Sequence, residues 1–234
     1  MTRRDVIGLM TAVSALGLTG CNEMFRKSFR FKMTVEVETP QGLRTGSGVM
    51  EVSAAKTTKI LPEQNAVSTI FKGEAVLVDL PGGPLIALVS DIGSGYSLAS
   101  AAVKSFDPLT GPEGKYVASI GKLGEPASLG RSVLIGDYPE LVRFRDIRDP
   151  KTVELVDPND LAKSFGAGVK LRRIMLTVVD GPVTVGIEQR LPWLVRYGNK
   201  MLDGSELGSF DANGNPINLA NSLSVLNFKS LEMM

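Results

Sequence analysis

Of the 234 residues none is histidine and only one, Cys21, is cysteine. This excludes Ser-His-Asp and Cys-His catalysis, Cys/His zinc sites, histidine-ligated haem, cysteine-held iron–sulfur clusters and internal disulfides. Carboxylate, lysine, serine and tyrosine chemistry remain. Asp91, Asp137 and Asp180 sit at predicted strand ends, and a glycan-cleaving hydrolase would need two such acids facing each other across a cleft. Each is equally a normal turn residue. Asp211-Ala212-Asn213-Gly214-Asn215 copies the first five places of a calcium loop, making Asp211, Asn213 and Asn215 the metal candidates and a calcium-dependent adhesion module a further reading. That frame then breaks, because Pro216 stands where glycine is required and Ser222 where a bidentate glutamate should close the shell. A tight Asn-Gly turn accounts for the segment.

Serine offers little more. Gly46-Ser47-Gly48 has no following helix and no G-x-S-x-G frame, so it reads as an irregular strand start. Ser53/Lys56 and Ser119/Lys122 have S-x-x-K spacing, which arises by chance in a chain of this composition, and neither S-D-N nor K-T-G accompanies them. No catalytic residue and no cofactor is expected. Trp193, the only tryptophan, and Tyr197 are candidates for a partner surface, since aromatic residues are enriched at interfaces. Core packing is the alternative for both, and the favoured one.

Cys21 ends the run Leu18-Thr19-Gly20-Cys21, behind the basic start Arg3-Arg4 and an apolar stretch from Val6 to Leu18. That ordered combination resembles a bacterial lipoprotein signal. The resemblance implies export, cleavage before Cys21, diacylglyceryl modification of its sulfur and residence in the cell envelope, on the periplasmic side of a bilayer. The apolar stretch, as a helix, reaches about 20 Å, short of the ~30 Å hydrocarbon core, so a permanent spanning helix is not expected. Thr2-Arg3-Arg4-Asp5-Val6-Ile7 also resembles the twin-arginine export pattern. Asn22 is not the aspartate of an inner-membrane retention signal, which favours the outer membrane where two membranes are present.

Residues 1–20 therefore form the expected signal peptide, 21–28 a lipidated tether and 29–234 a single globular domain. Asn22 to Ser28 reach at most about 25 Å, which keeps the folded body near the headgroups. Arg26, Lys27, Arg30 and Lys32 are placed to face anionic lipids. Loss of Arg3, Arg4 and Asp5 with the signal leaves 24 basic and 24 acidic side chains. Zero net charge argues against nucleic acid as a partner. The expected partners are the bilayer, through acylated Cys21, and an envelope protein.

The elements that would carry these residues are mostly strands. Phe29, Phe31, Met33, Val35 and Val37 alternate with polar residues, the period-two mark of a strand buried on one face. Thr39-Pro40-Gln41-Gly42 turns the chain into a returning strand from Arg44 to Ser53. Glu74 to Leu80 and Leu85 to Val89 form a second hairpin around Pro81-Gly82-Gly83-Pro84. Tyr96 to Phe106 has helical spacing, while Tyr116 to Ile120 reads as a short strand among loops. Val133 to Ile135 and Glu140 to Ile147 read as strands, Asp157-Pro158-Asn159-Asp160 as a helix start ended by Gly166, and Leu171 to Val179 as a strand buried on both faces. Val185 to Leu191 suggests a helical turn. Short turns join neighbouring strands, so the predicted class is α+β, strand-dominated, with mainly antiparallel hairpins and two or three short helices.

Overall fold

The computed structural model describes residues 26–56, 67–90, 97–107, 114–209, 211 and 217–230. It is a strand-dominated α+β fold in which every pairing between strands is antiparallel. The first hairpin joins β1 (Lys27–Thr39) and β2 (Gly42–Lys56), registered residue for residue from Lys27 opposite Ala54 to Thr39 opposite Gly42. Its turn is closed by Thr39, whose Oγ1 donates to the Gly42 carbonyl at 2.8 Å and accepts from the Gln41 amide at 3.2 Å. Gly42 takes a φ of 109°, a left-handed geometry that glycine adopts without steric penalty. Along β1 the alternation is realised, with Phe31, Met33, Val35 and Val37 fully buried, each worth about 1.5–3 kcal/mol of apolar transfer.

Five strands make the larger sheet, in the order β3-β2-β1-β9-β6, where β3 is Val67–Lys72, β6 Ser132–Leu134 and β9 Lys170–Val179. In β9, Ile174, Leu176 and Val178 are buried and Met175 and Thr177 only half-buried. Burial on both faces is thus corrected to one inner face, because Met175, Thr177 and Val179 on the other side stay partly exposed. The smaller sheet has the order β4-β5-β7-β8, with β4 at Val76–Leu80, β5 at Gly83–Ala87, β7 at Leu141–Phe144 and β8 at Val153–Val156. Both its faces are covered. Val76, Val78, Leu85, Ala87 and Leu141 join the core beneath the larger sheet, while Ile86, Val142 and Phe144 join a second cluster with Trp193 and Phe228.

Gly46-Ser47-Gly48 lies where β2 crosses β4. The β1–β2 register runs through it without a slip, so it is not a bulge. A Cβ on Gly46 would stand 2.0 Å from the Leu77 carbonyl oxygen, and one on Gly48 3.4 Å from Val76 Cγ2. Glycine at 46 is what lets two backbones approach this closely.

Four α-helices are present among the described residues: α1 (Leu98–Phe106), α2 (Gly114–Leu123), α3 (Leu161–Phe165) and α4 (Trp193–Tyr197). Helix α1 fulfils the expectation from spacing. Helix α2 replaces the strand expected at Tyr116 to Ile120, since Val117, Ile120 and Leu123 are buried at three-residue intervals while Ala118 and Lys122 are exposed. Helix α3 starts later than Asp157. Asp160 is its N-cap, accepting from the Lys163 amide at 3.3 Å, and Asp157 instead accepts from the Asn159 amide at 2.8 Å in the preceding turn. Gly166 ends α3 as expected. Among the described residues no helix is long and apolar enough to cross a membrane.

Candidate functional site

Among the described residues an open cleft of about 780 Å³ lies between the outer end of the smaller sheet and α3. Antiparallel register explains its charges. Arg143 on β7 stands directly opposite Glu154 on β8, on the same face as the buried pair Leu141 and Val156. Past that apolar pair the sheet runs out from under the larger one, and the face turns polar. The Arg143 guanidinium lies 5.5 Å from the Phe165 ring centroid, has its Nε 3.1 Å from Glu154, and donates to the Ser164 carbonyl, which ties the sheet to α3. Arg145 also reaches Glu154 at 3.1 Å.

Four carboxylates line this cleft, those of Glu140, Glu154, Asp157 and Asp160, together with Lys163. Their geometry is that of structural partners. Glu154 is shared by two arginines, Asp160 caps α3, Asp157 closes a turn, and Glu140 is also engaged. Tyr138 and Leu155, 37% and 57% exposed, complete a mouth that mixes apolar surface with both signs of charge. Such a lining can recognise a ligand.

Carboxylates displaced from their ordinary acidity elsewhere are likewise in structural pairings. Glu36 on β1, 7% exposed, accepts two hydrogen bonds from Arg173 at 2.9 and 3.0 Å, and these hold its carboxyl below the usual range. A break in the β1–β9 register at Glu36 brings Arg172 to the same carboxylate at 3.7 Å. Burial pushes Glu74 up, against the opposing effect of the Gly186 and Ile187 amides it accepts from at 3.1 and 2.9 Å. Close by, Lys229, 5% exposed, pairs with Glu188: burial pushes that acid up, but the hydrogen bond and charge of Lys229 together with a backbone hydrogen bond hold it below its ordinary value. This group fastens the 3₁₀ turn at Ile187–Gln189 and the C-terminal segment onto the entry to β4. Asp203 is lowered chiefly by Ser205, whose hydroxyl it accepts at 2.6 Å, and buried Asn221 donates to it at 2.7 Å. Burial raises the Tyr116 hydroxyl.

The residues singled out from the sequence are not brought together. Asp137 and Asp180 are exposed and lie beyond opposite ends of the β6–β9 ladder. Five residue steps separate Asp180 from the Met175–Leu134 pair, about 17 Å, and Asp137 lies past the other end. They cannot act as one acid pair. Asp91, Asn213, Asn215 and Cys21 lie outside the described residues, as does the stretch 1–25. Asp211 is exposed, and the Ser222 hydroxyl donates to the Asn218 carbonyl at 2.8 Å. Among the described residues no group of three or more Asp, Glu, Cys or His is arranged to hold a metal ion. Trp193 is fully buried, donates to the Ile147 carbonyl at 2.9 Å, and has Phe144 and Phe228 at centroid distances of 5.3 Å. Its place is the core, and a surface role for the indole is corrected accordingly. Tyr197 packs edge-on to it at 6.2 Å and is half-buried. Ser53 is buried on β2, and the Ser119 hydroxyl donates to Asp107 at 2.7 Å.

Comparison with known proteins found no matching family model, no matching curated protein and no matching solved structure. The sequence reading missed the Arg143–Glu154 pair. Its one available signal was the alternation of Arg143 and Arg145 with Val142 and Phe144, which placed both arginines on one side of a strand.

Proposed function

We propose that this chain is an exported lipoprotein, held on the periplasmic side of a bilayer by acylated Cys21, that works by binding a partner in the cell envelope. The observation that carries a binding role is the occupancy of the cleft's acids. Glu154 already serves two arginines, Asp160 a helix cap and Asp157 a turn, and Glu140 is also engaged, so the lining favours recognition by shape and fixed charge over acid–base chemistry. Its mixture of exposed tyrosine, leucine and both signs of charge suits a segment of another polypeptide. The anchor is supported by the basic start, the apolar stretch and the Leu-Thr-Gly-Cys run.

A photoreactive amino acid in place of exposed Tyr138 should cross-link one defined envelope protein in intact cells, while the same probe at Lys32, on the outer face of the larger sheet, should not. Equal cross-linking patterns at the two positions would refute the cleft as the partner site. Hydrolysis of envelope glycan by the purified chain, abolished in Glu154→Gln, would replace binding with catalysis.

A further inference from the structure

Strand β1 begins at Lys27, so only five residues, Asn22 to Arg26, separate it from Cys21, a reach of about 18 Å. Beside its start is a groove of about 680 Å³ lined by Arg26, Lys27, Lys56 and Lys122, with Glu125 the one carboxylate in the lining among the described residues. Two of these cations arrive from far along the chain. Lys56 comes from the end of β2, and Lys122 from the last turn of α2. One glycine allows the convergence: a Cβ on Gly124 would meet the Ser28 carbonyl oxygen at 2.2 Å. Arg30 and Lys32, the other two cations expected to face lipid, do not join the groove. Arg30 is paired with Glu51 at 2.7 Å, and Lys32 projects from the outer face of the larger sheet.

An apolar tip adjoins these cations. The 3₁₀ turn at Pro126–Ser128 exposes Pro126 and Ala127, and Leu129 just after it is 46% exposed. Pro126 lines the basic groove and, with Leu129, the neighbouring hollow, so the two surfaces are continuous. Cations around a small apolar protrusion match a bilayer surface, where phosphates attract the former and the acyl boundary accepts the latter.

We propose that this groove and the Pro126–Leu129 tip form a second membrane contact, specific for anionic phospholipid, that fixes the orientation of the body on the bilayer. The inference rests on the lipid-anchor reading for the direction the groove faces, and its test is independent of acylation.

Full-length chain carrying Cys21→Ser is sedimented with vesicles of phosphatidylcholine alone or mixed with phosphatidylglycerol, and the difference in binding is read. Each lysine near an anionic surface contributes about a fivefold gain in affinity, so Lys56→Gln with Lys122→Gln should weaken the phosphatidylglycerol-dependent part about 25-fold at low salt. Lys32→Gln should leave it unchanged, and Leu129→Ser should lower it. Both lysines are exposed, and an unchanged melting temperature shows that the fold survives. Binding to anionic vesicles that is the same in the double variant as in the parent overturns the inference, as does equal loss with Lys32→Gln. If native protein proves unacylated while the double variant still loses binding, the anchor falls and the groove stands.

Discussion

Gly46→Ala adds one methyl group, and in an ordinary strand that exchange stabilises by about 0.5–1 kcal/mol. At this crossing the new Cβ would lie 2.0 Å from the Leu77 carbonyl oxygen, 2.8 Å from the Leu77 carbonyl carbon and 3.1 Å from Val78 Cγ2. Favourable carbon contacts begin near about 3.5 Å, so β4 must retreat by over about 1 Å. Backbone held in the β4–β5 ladder cannot swing aside as a side-chain tip can. A core packed like a crystal transmits the shift to Val76, Val78 and their neighbours. Overpacking costs about 1–3 kcal/mol, and the upper end applies to a clash with main chain. At 2–4 °C per kcal/mol for a domain of this size, the melting temperature followed by circular dichroism should fall by about 6–12 °C. Gly48→Ala, two residues away and 3.4 Å from a flexible valine methyl, is the matched control and should stay within about 1 kcal/mol of the parent. A Gly46→Ala protein as stable as the parent would refute the close contact between the two sheets.

Replacing Lys229 by methionine removes the cation from Glu188 beside buried Glu74; since Glu188 is about a quarter exposed, the cost should be about 2 kcal/mol, below that of breaking a fully buried pair, read as a lower urea midpoint at unchanged slope. Acid should destabilise: Glu36, Glu188 and Asp203 are held below their ordinary values, so the stability they contribute is complete above those values and is lost as the pH falls through the lowered ones. Glu74, pushed up by burial, works the other way, its contribution being present at low pH and lost as the pH rises, so Glu36→Gln should flatten the acid limb of a stability–pH profile while Glu74→Gln steepens it. Calcium should leave the melting temperature unchanged, because Pro216 breaks the loop frame and the Ser222 hydroxyl is spent on Asn218; a rise at millimolar calcium would restore the adhesion reading.

The parts of the fold that the sequence made legible are those written locally. Alternation along β1, the Pro-Gln turn and the Pro-Gly-Gly-Pro turn each specify a hairpin within a dozen residues, and both hairpins formed. Two of the short edge elements carried no such signal. Val67–Lys72 and Val153–Val156 are strands only because β2 and β7 offer them hydrogen bonds, and Tyr116 to Ile120 is helical because its apolar residues meet β1 and β2 on one side. Long-range placement was invisible. The glycine at 46 answers to Leu77, the buried Lys229 to Glu188, and the basic groove to residues from 26 to 122, and no window of sequence contains both partners. Trp193 shows the limit from the other direction, since residue type alone favours the core without closing off the interface, and the enclosure by Phe144 and Phe228 decides.

The central claim is the covalent anchor at Cys21, and intact-mass and peptide mass spectrometry of protein taken from native membranes tests it most directly. The account predicts a chain that starts at Cys21 and bears diacylglyceryl on its sulfur, with residues 1–20 gone. A free thiol in a chain that still carries those twenty residues would contradict it.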